Sequence, residues 1–324
     1  MSKFRTLGNQ LYSGEKSFDF VGRRKLWYAF AAVMVIVAIA LPILRGGFNF
    51  GIEFRGGSEF RLTNSQELSH SVATDVIRDI VPGVQVSVTD VGIADLRIQT
   101  EQLSDVESEE VRVALGQAYG VDPASVASSF IGPNWGADVT RQALIGLGVF
   151  LLLVSLLMAF YFRSWKMSVA ALLALAHDLI LTAGIYAGVG FEVTPAAVIG
   201  FLTILAYSLY DTVVVFDKVR ENTLEIELSE TRTFAEMVNL AVNQTLVRSI
   251  NTSVVAVLPV ASILFIGSLL LGAGTLRDIA LALFVGTIVG TYSSIFLAAP
   301  IYAHLREGEK DLKQAAEKVV ALRQ

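Results

Sequence analysis

Apolar and polar residues divide this chain into long blocks. One apolar block occupies Leu26–Leu44, and a segment of mixed polarity follows it from about residue 50 to 135. Five further apolar blocks make up most of the remainder: Ala143–Phe162, Ser168–Val189, Pro195–Phe216, Thr245–Leu271 and Ile279–His304. Because a helix needs about 20 apolar residues to cross the hydrocarbon core of a bilayer, the pattern predicts six membrane-spanning helices.

The mixed segment has the patterns of a small α+β domain. Val72, Val76 and Ile80 recur at helical spacing, and Ser104 with Glu107 forms a capping box that opens a second helix. Alternating residues predict strands at Glu59–Leu62, Val84–Val88, Asp95–Gln99 and Val126–Ile131. The order strand, helix, strand, strand, helix, strand suits a ferredoxin-like sandwich. The predicted fold class is therefore an α-helical polytopic membrane protein with a small exoplasmic ferredoxin-like α+β domain between its first two spans.

These blocks predict five regions. They are an N-terminal segment over 1–25, a first span over 26–44, the α+β domain with its linkers over 45–141, the other five spans over 142–305, and a tail over 306–324. The first block is too long for a signal-peptide core and lacks a cleavage site of small residues, so it is expected to remain as a span. The segment Glu221–Asn243 is polar with interspersed apolar residues and predicts an interfacial helix. The tail from Glu307 is charged and predicts a solvated helix.

Lys and Arg residues near the ends of the spans predict the orientation. One side of the predicted spans collects most of these residues: Lys16, Arg23, Arg24, Lys25, Arg163, Lys166, Lys218, Arg220, Arg232, Arg306 and Lys310. We therefore expect both termini in the cytoplasm of a multi-pass plasma membrane protein, with the α+β domain outside.

Composition narrows the possible chemistry. The chain is 53% hydrophobic and 17% charged, with a net charge of −5, so nothing indicates a nucleic-acid partner. It has no cysteine, which excludes disulfides and thiol catalysis. Its three histidines have no metal-ligand spacing, and no phosphate loop or nucleophile triad is present. The sequence predicts a transport protein that is not an enzyme and that uses no metal or other cofactor.

Candidate chemistry lies among the polar residues inside the apolar blocks. Asp211 lies about 10 Å from the end of the fourth span, seven residues before Lys218. Ionisable residues at this depth are costly and usually functional. Arg248 and Thr252, one helical turn apart in the fifth span, are expected at a similar depth. An arginine facing Asp211 would hold it ionised, and protonation would release the arginine, which makes a proton-dependent switch possible.

The same residues could instead have purely structural roles. Asp211 and Arg248 could form a static buried pair that fixes helix register. His177-Asp178 in the third span is a secondary candidate for the proton relay, although His177 could simply hydrogen-bond a neighbouring helix. Asp217 is expected to be a solvated boundary residue. Two glycine pairs and one face of the last span are expected to pack against helices within the chain: Gly184 with Gly188, Gly286 with Gly290, and Thr287, Thr291 and Ser294.

Glycine and proline mark both junctions between the α+β domain and the membrane. Gly51, Gly56 and Gly57 lie where the chain leaves the first span, and Gly132-Pro133 marks its return to the bilayer. We expect these residues to act as hinges through which movement of the first two spans tilts the domain.

Six motifs recur along the chain in a fixed order: Gly51–Gly57, Ile131–Pro133, His177-Asp178, Tyr207–Asn222, Arg248–Ser253 and Gly290–Phe296. Together they resemble the motifs of the SecF family, subunits of the bacterial Sec protein-export machinery. The resemblance extends from about Phe18 to Leu305. Two positions depart from the family pattern: Tyr210 stands where Asn is common, and Ser249 follows Arg248 where the family has Thr. Tyr210 is therefore a further candidate for influencing Asp211.

The resemblance implies half of a transporter of the resistance-nodulation-division superfamily, with SecD supplying the other half. It implies that Asp211, Arg248 and Thr252 are linked to proton passage. The implied partners are SecD, the SecYEG channel, YajC and an unfolded preprotein that the proton-motive force helps to move and release. Two alternatives remain, which are a small-molecule or lipid exporter of the same superfamily and a non-conducting assembly scaffold.

Overall fold

The computed structural model describes residues 3–63, 69–91, 94–224, 231–267 and 274–323. Its helices are α1 (Lys3–Ser13), α2 (Arg24–Leu44), α3 (Ile52–Arg55), α4 (His70–Ile80), α5 (Asp105–Ala118), α6 (Pro133–Phe162), α7 (Trp165–Val189), α8 (Pro195–Asn222), α9 (Phe234–Ser262), α10 (Gly274–Ser293), α11 (Ala299–Arg306) and α12 (Lys310–Leu322). Its strands are β1 (Asn49–Phe50), β2 (Gly57–Leu62), β3 (Val86–Val91), β4 (Asp95–Thr100), β5 (Ala127–Ile131) and β6 (Glu192–Val193). Two π-helical segments extend α9 and α10: Ile263–Gly267 and Ser294–Ala298.

Six helices in the described part of the chain are long and apolar enough to cross a membrane, as predicted. We call them the first to sixth spans: Arg24–Leu44, Asn134–Phe162, Trp165–Val189, Pro195–Asn222, Phe234–Gly267 and Leu276–Arg306. The second span belongs to a helix that begins at Pro133, about three turns before the predicted start at Ala143. The predicted end of the fifth span, Leu271, lies outside the described residues.

The third, fourth and sixth spans form the centre of the bundle. Within one apolar stretch of 18 residues in each, 56%, 44% and 50% of the residues are buried, against 11%, 11% and 6% for the first, second and fifth. Both glycine pairs have the packing role predicted for them. Gly184 contacts Ala38 of the first span, and Gly290 contacts Ser208 of the fourth.

The predicted interfacial helix over Glu221–Asn243 does not form a separate helix in the described residues, and its part at 225–230 lies outside them. The fourth span continues to Asn222, and the fifth begins at Phe234 behind a capping box formed by Thr233 and Glu236. The apolar residues in its first turns, including Val238 and Val242, are buried against neighbouring helices and so belong to the bundle.

The α+β domain has the predicted topology. Its four strands have the order β3-β4-β2-β5, and every neighbouring pair is antiparallel. The apolar side chains of β2 and β4 meet those of α4 and α5 in one core: Phe60, Leu62, Ala73, Ile77, Leu96, Ile98, Val111 and Leu115. The predicted capping box at Ser104 and Glu107 is present at the start of α5.

Glycines shape the junctions on the domain side of the membrane. Gly56 and Gly57 have φ angles of 78° and 146°, which favour glycine. A methyl group at Gly57 would also lie 2.3 Å from the carbonyl oxygen of Thr100, so the backbone packs tightly there. Gly51 and Gly132 cap helices, and Pro133 lies in the first turn of α6.

Both terminal helices pack against the same end of the bundle. Leu11 of α1 is buried, and the side chain of Asn243 accepts a hydrogen bond from the amide of Phe18. The tail was predicted to be solvated, but one face of α12 buries Leu312 and Val319. The predicted helix is present, but it is not solvated on all sides, because the prediction considered the charges of the tail and overlooked its apolar stripe at helical spacing.

Candidate functional site

Asp211 of the fourth span is 6% exposed and is hydrogen-bonded to two serines from other helices. Ser249 of the fifth span donates to Oδ1 at 2.7 Å, and Ser294 of the sixth span donates to Oδ2. No Lys, Arg or His nitrogen in the described residues lies within 4.0 Å of this carboxylate. Among the described residues, the charge of Asp211 is therefore stabilised by hydroxyl groups and not by a cationic side chain.

Asp178 of the third span has a similar environment. It is 2% exposed, and its Oδ2 accepts from Ser208 of the fourth span at 2.5 Å and from Ser293 of the sixth at 2.7 Å. Its Oδ1 lies 3.2 Å from Nδ1 of His177. Nε2 of His177 is buried without a hydrogen-bond partner in the described residues, beside the ring of Tyr292.

The sixth span connects the two carboxylates through consecutive serines. Successive helical residues point about 100° apart, so Ser293 and Ser294 face different neighbouring helices. The backbone changes from α to π geometry at Ser294, and π-bulges of this kind are frequent at functional sites. The fourth span provides a second link, because Ser208 and Asp211 are three residues apart on one face.

Arg248 and Thr252 are not brought to Asp211. Arg248 is exposed on the surface of the bundle, whereas its neighbour Ser249 is buried against the carboxylate. The hydroxyl of Thr252 donates to the backbone oxygen of Arg248, 2.8 Å away. In the described residues, neither Arg248 nor Thr252 is therefore hydrogen-bonded to the carboxylate with which the sequence paired them.

Tyr210 also points away from the site. It is 55% exposed, so the departure from the family pattern at this position leaves the hydrogen bonds of Asp211 intact.

Asp217 is exposed near the end of the same helix, as predicted. Thr291 of the sixth span lies near the site and shares a 2.5 Å hydrogen bond with Ser253 of the fifth span.

The serine contacts were only partly predictable. The sequence marks Ser249 as a departure from the family pattern and Ser294 as part of a face that packs against other helices, but it does not indicate that either bonds to Asp211. Ser208 and Ser293 were missed. The available signals were the spacing of Ser208 from Asp211 and the tandem Ser293-Ser294, but serine is common in spans and hydroxyls often bond to their own helix.

The arrangement suits proton binding. An ionised carboxylate can accept hydrogen bonds at both oxygens, whereas a protonated one has an O–H that must donate. A proton arriving at Asp211 would therefore require Ser249 or Ser294 to reverse its hydrogen bond or to move. No group of three or more His, Cys, Asp or Glu side chains that could hold a metal occurs among the described residues.

Two family models match this chain. One is described as protein export membrane protein SecD/SecF, C-terminal, and matches residues 112–308. The other is described as the SecD/SecF GG motif and matches residues 43–63, which include Gly51–Gly57.

Individual proteins are similar over most of the chain. The protein translocase subunit SecF of Streptomyces coelicolor is 46% identical over all of this chain and 86% of its own length. SecF of Mycobacterium tuberculosis is 42% identical over 97% of the chain and 73% of its own length. A solved structure of SecDF from Thermus thermophilus superposes with a TM-score of 0.76 at 32% identity, and the match covers 90% of this chain and 39% of the SecDF chain.

Proposed function

This chain belongs to the SecD/SecF family of protein export membrane proteins, which are accessory subunits of the Sec translocase, and we therefore propose that it couples the proton-motive force to preprotein export through Asp211. The observation that carries the proposal is the burial of Asp211 among hydroxyl donors from two other spans. A carboxylate at membrane depth without a cation beside it is costly, and such residues mark proton pathways.

Binding and release of a proton at Asp211 would alternate between two arrangements. In the ionised state Ser249 and Ser294 hold the fifth and sixth spans against the fourth. In the protonated state at least one of these hydrogen bonds must reverse or break, which loosens that contact. A membrane potential supplies roughly 2.3 kcal/mol per charge per 100 mV to drive the cycle. We propose that protons are the coupling ion and that the chain needs no other cofactor and no ATP or hydrolytic site.

We also propose that the termini are cytoplasmic and that the α+β domain is exoplasmic. The Lys and Arg residues near the span ends support this orientation. Both terminal helices pack beside the start of α9, at the end of the bundle opposite the α+β domain. Gln244 donates to the carbonyl oxygen of Tyr12 in α1, and Arg323, at the end of α12, pairs with Glu236.

The proposed partner is SecD, which is joined to this type of chain in the Thermus thermophilus protein SecDF. Arg248 supports a partner at the bundle surface, because a charged side chain at membrane depth that faces lipid is costly. We propose that a polar group of SecD meets Arg248 and Thr252, which completes the relay across the interface. The SecYEG channel, YajC and an unfolded preprotein are proposed as the further partners.

The proposal predicts the effect of Asp211→Asn. The amide cannot carry a proton through the cycle, so gradient-dependent preprotein transport into membrane vesicles should fall to background. Transport without a gradient and copurification with SecD should not change. Asp217→Asn is the matched control, since Asp217 lies on the same helix but is exposed. Undiminished stimulation by the gradient in Asp211→Asn would contradict the proposal and favour a scaffold.

A further inference from the structure

The α+β domain is joined to the membrane bundle at the turn between the third and fourth spans. Strand β1 (Asn49–Phe50) pairs in parallel with β6 (Glu192–Val193), which lies in that turn. The amide of Gly51 extends the pairing by donating to the carbonyl oxygen of Val193 at 3.0 Å. This contact is additional to the covalent connections of the domain to the first and second spans.

We call this contact between the α+β domain and the turn at β6 the joint. Arg97 strengthens the joint through an ion pair. It lies on β4, between the core residues Leu96 and Ile98, and therefore points to the opposite face of the sheet. Its Nη1 donates to Oε2 of Glu192 at 3.0 Å, and its Nε lies 3.3 Å from Oε2 of Glu59. The three side chains are only 14–20% exposed, so loss of one partner would leave a largely buried charge uncompensated.

Further carboxylates surround this pair. Glu53 approaches from α3, and a methyl group at Gly51 would lie 2.3 Å from its Oε2 and 3.0 Å from Oε1 of Glu192. Because Gly51 has no side chain, the main chain can pass between the side chains of Glu53 and Glu192. Asp278, at the start of the sixth span, also carries a charge that helps to raise the pKa of Arg97.

The joint and the proton site are built on the same helices. The turn that carries Glu192 ends the third span and begins the fourth, which hold Asp178 and Asp211. Thr194 donates to Oδ2 of Asp278 at 2.8 Å, which ties the turn to the sixth span, where Ser294 lies. In the described residues, no side chain of the first or second span is bonded to either buried aspartate.

We propose that Arg97 is a positioning residue that makes the α+β domain move as one body with the turn between the third and fourth spans. A rearrangement at Asp211 then reaches the domain through Glu192. The sequence suggested transmission through hinges at the first two spans, whereas this route uses the helices that hold the carboxylates. The inference rests on the proposed function of Asp211.

Charge reversal tests the proposal. Arg97→Glu and Glu192→Arg should each lose most of the gradient-dependent preprotein transport. The double variant should recover part of it, because the pair with residue 192 is restored in reverse while Glu59 stays without its cation. Glu109→Arg is the control, since it breaks an exposed ion pair with Arg112 in the same domain. Copurification with SecD checks that each variant folds and assembles.

Proton flux separates coupling from proton binding. In Arg97→Glu, gradient-driven proton flux through the assembled complex should persist while transport is lost, whereas Asp211→Asn should lose both. Normal transport in Arg97→Glu, or failure of the double variant to recover, would overturn the role of Arg97. Unchanged flux and transport in Asp211→Asn would instead overturn the proposed function.

A disulfide gives an independent test, because the chain has no cysteine of its own. Phe50 and Val193 are partners in the β1–β6 register, so Phe50→Cys with Val193→Cys places two thiols across the joint. The oxidised pair should leave transport intact and restore it in Arg97→Glu, and reduction should remove the restoration. Blocked transport in the oxidised pair, or no restoration, would show that the joint does not act as a rigid link.

Discussion

Serine hydroxyls, not a guanidinium, surround the two buried carboxylates of this membrane protein. Each hydroxyl can donate or accept, so the groups around Asp211 can follow its protonation state without leaving a charge behind. Their positions depend on small residues nearby. A methyl group at Gly290 would lie 2.9 Å from Cβ and 3.0 Å from Oγ of Ser208, the donor to Asp178. Gly290 therefore sets how closely the sixth span approaches the fourth.

At this scale we predict that Gly290→Ala destabilises the bundle by about 1–3 kcal/mol, because the added methyl group must displace Ser208 or separate the helices. Thermal unfolding in detergent would measure the loss. Gly148→Ala is the matched control, since a methyl group there meets nothing within 4 Å. Equal unfolding temperatures for the two variants would contradict the assigned role of Gly290.

The segment between α1 and the first span has no regular secondary structure and is held by side chains of α9. The chain after α1 runs along the start of α9, where Asn239 and Asn243 stand one helical turn apart. The side chain of Asn239 accepts from the amide of Phe20 at 2.8 Å, and that of Asn243 accepts from the amide of Phe18 at 2.8 Å. Two asparagines thus satisfy a segment that has no partner strand in the described residues.

We predict that Asn239→Ala and Asn243→Ala each release this segment. A buried amide left without an acceptor costs about 1–3 kcal/mol, so hydrogen exchange at Phe18 and Phe20 should accelerate. Exchange measured by mass spectrometry on peptides covering 14–23 would report the change. Ser262→Ala is a suitable control in the same helix, because its hydroxyl bonds only to the backbone of Leu258 among the described groups. Unaltered exchange in the Asn variants would contradict this clamp.

At the scale of the whole molecule, the joint between the α+β domain and the bundle should respond to pH. Burial raises the pKa of Glu53, and the nearby charges of Glu192 and Glu59 add to the rise, while a backbone hydrogen bond and Arg97 oppose it. Burial works against the charge of Arg97, but Glu192 and Glu59 outweigh it and raise the pKa of Arg97. The joint therefore favours a proton on Glu53 and a positive charge on Arg97.

The pKa of Glu53 is raised when the α+β domain is in contact with the bundle at the joint. Binding of a proton to Glu53 therefore favours this contact, which we call the docked state. The contribution of Glu53 is complete below the ordinary carboxyl pKa and is lost as the pH rises through its raised value. We predict that the protection factor of the Gly51 amide falls over this range and that Glu53→Gln removes the dependence. Protection within the domain core, for example at Ile98, provides the internal reference. The same pH dependence in Glu53→Gln would exclude Glu53 as the cause.

The pattern of residues along the chain was enough to predict the spans, the order of elements in the α+β domain and the presence of costly polar residues in the membrane. These features follow from local physics, since the length of an apolar block, a period of two or 3.6 residues and a capping box depend on neighbours in the chain. No separate interfacial helix forms in the described part of Glu221–Asn243, because Phe234, Val238 and Val242 are buried against helices whose position the sequence did not reveal.

The side chains that contact one another across the bundle could not be predicted from that pattern. Arg248 and Ser249 are adjacent in the chain, and the rotation of the fifth span places the serine on Asp211 and the arginine on the surface. The contact between Arg97 and Glu192 joins residues 95 positions apart through the way the sheet docks on a turn. Such contacts depend on helix rotation and domain placement, which are fixed by the packing of the whole molecule and not by any local pattern.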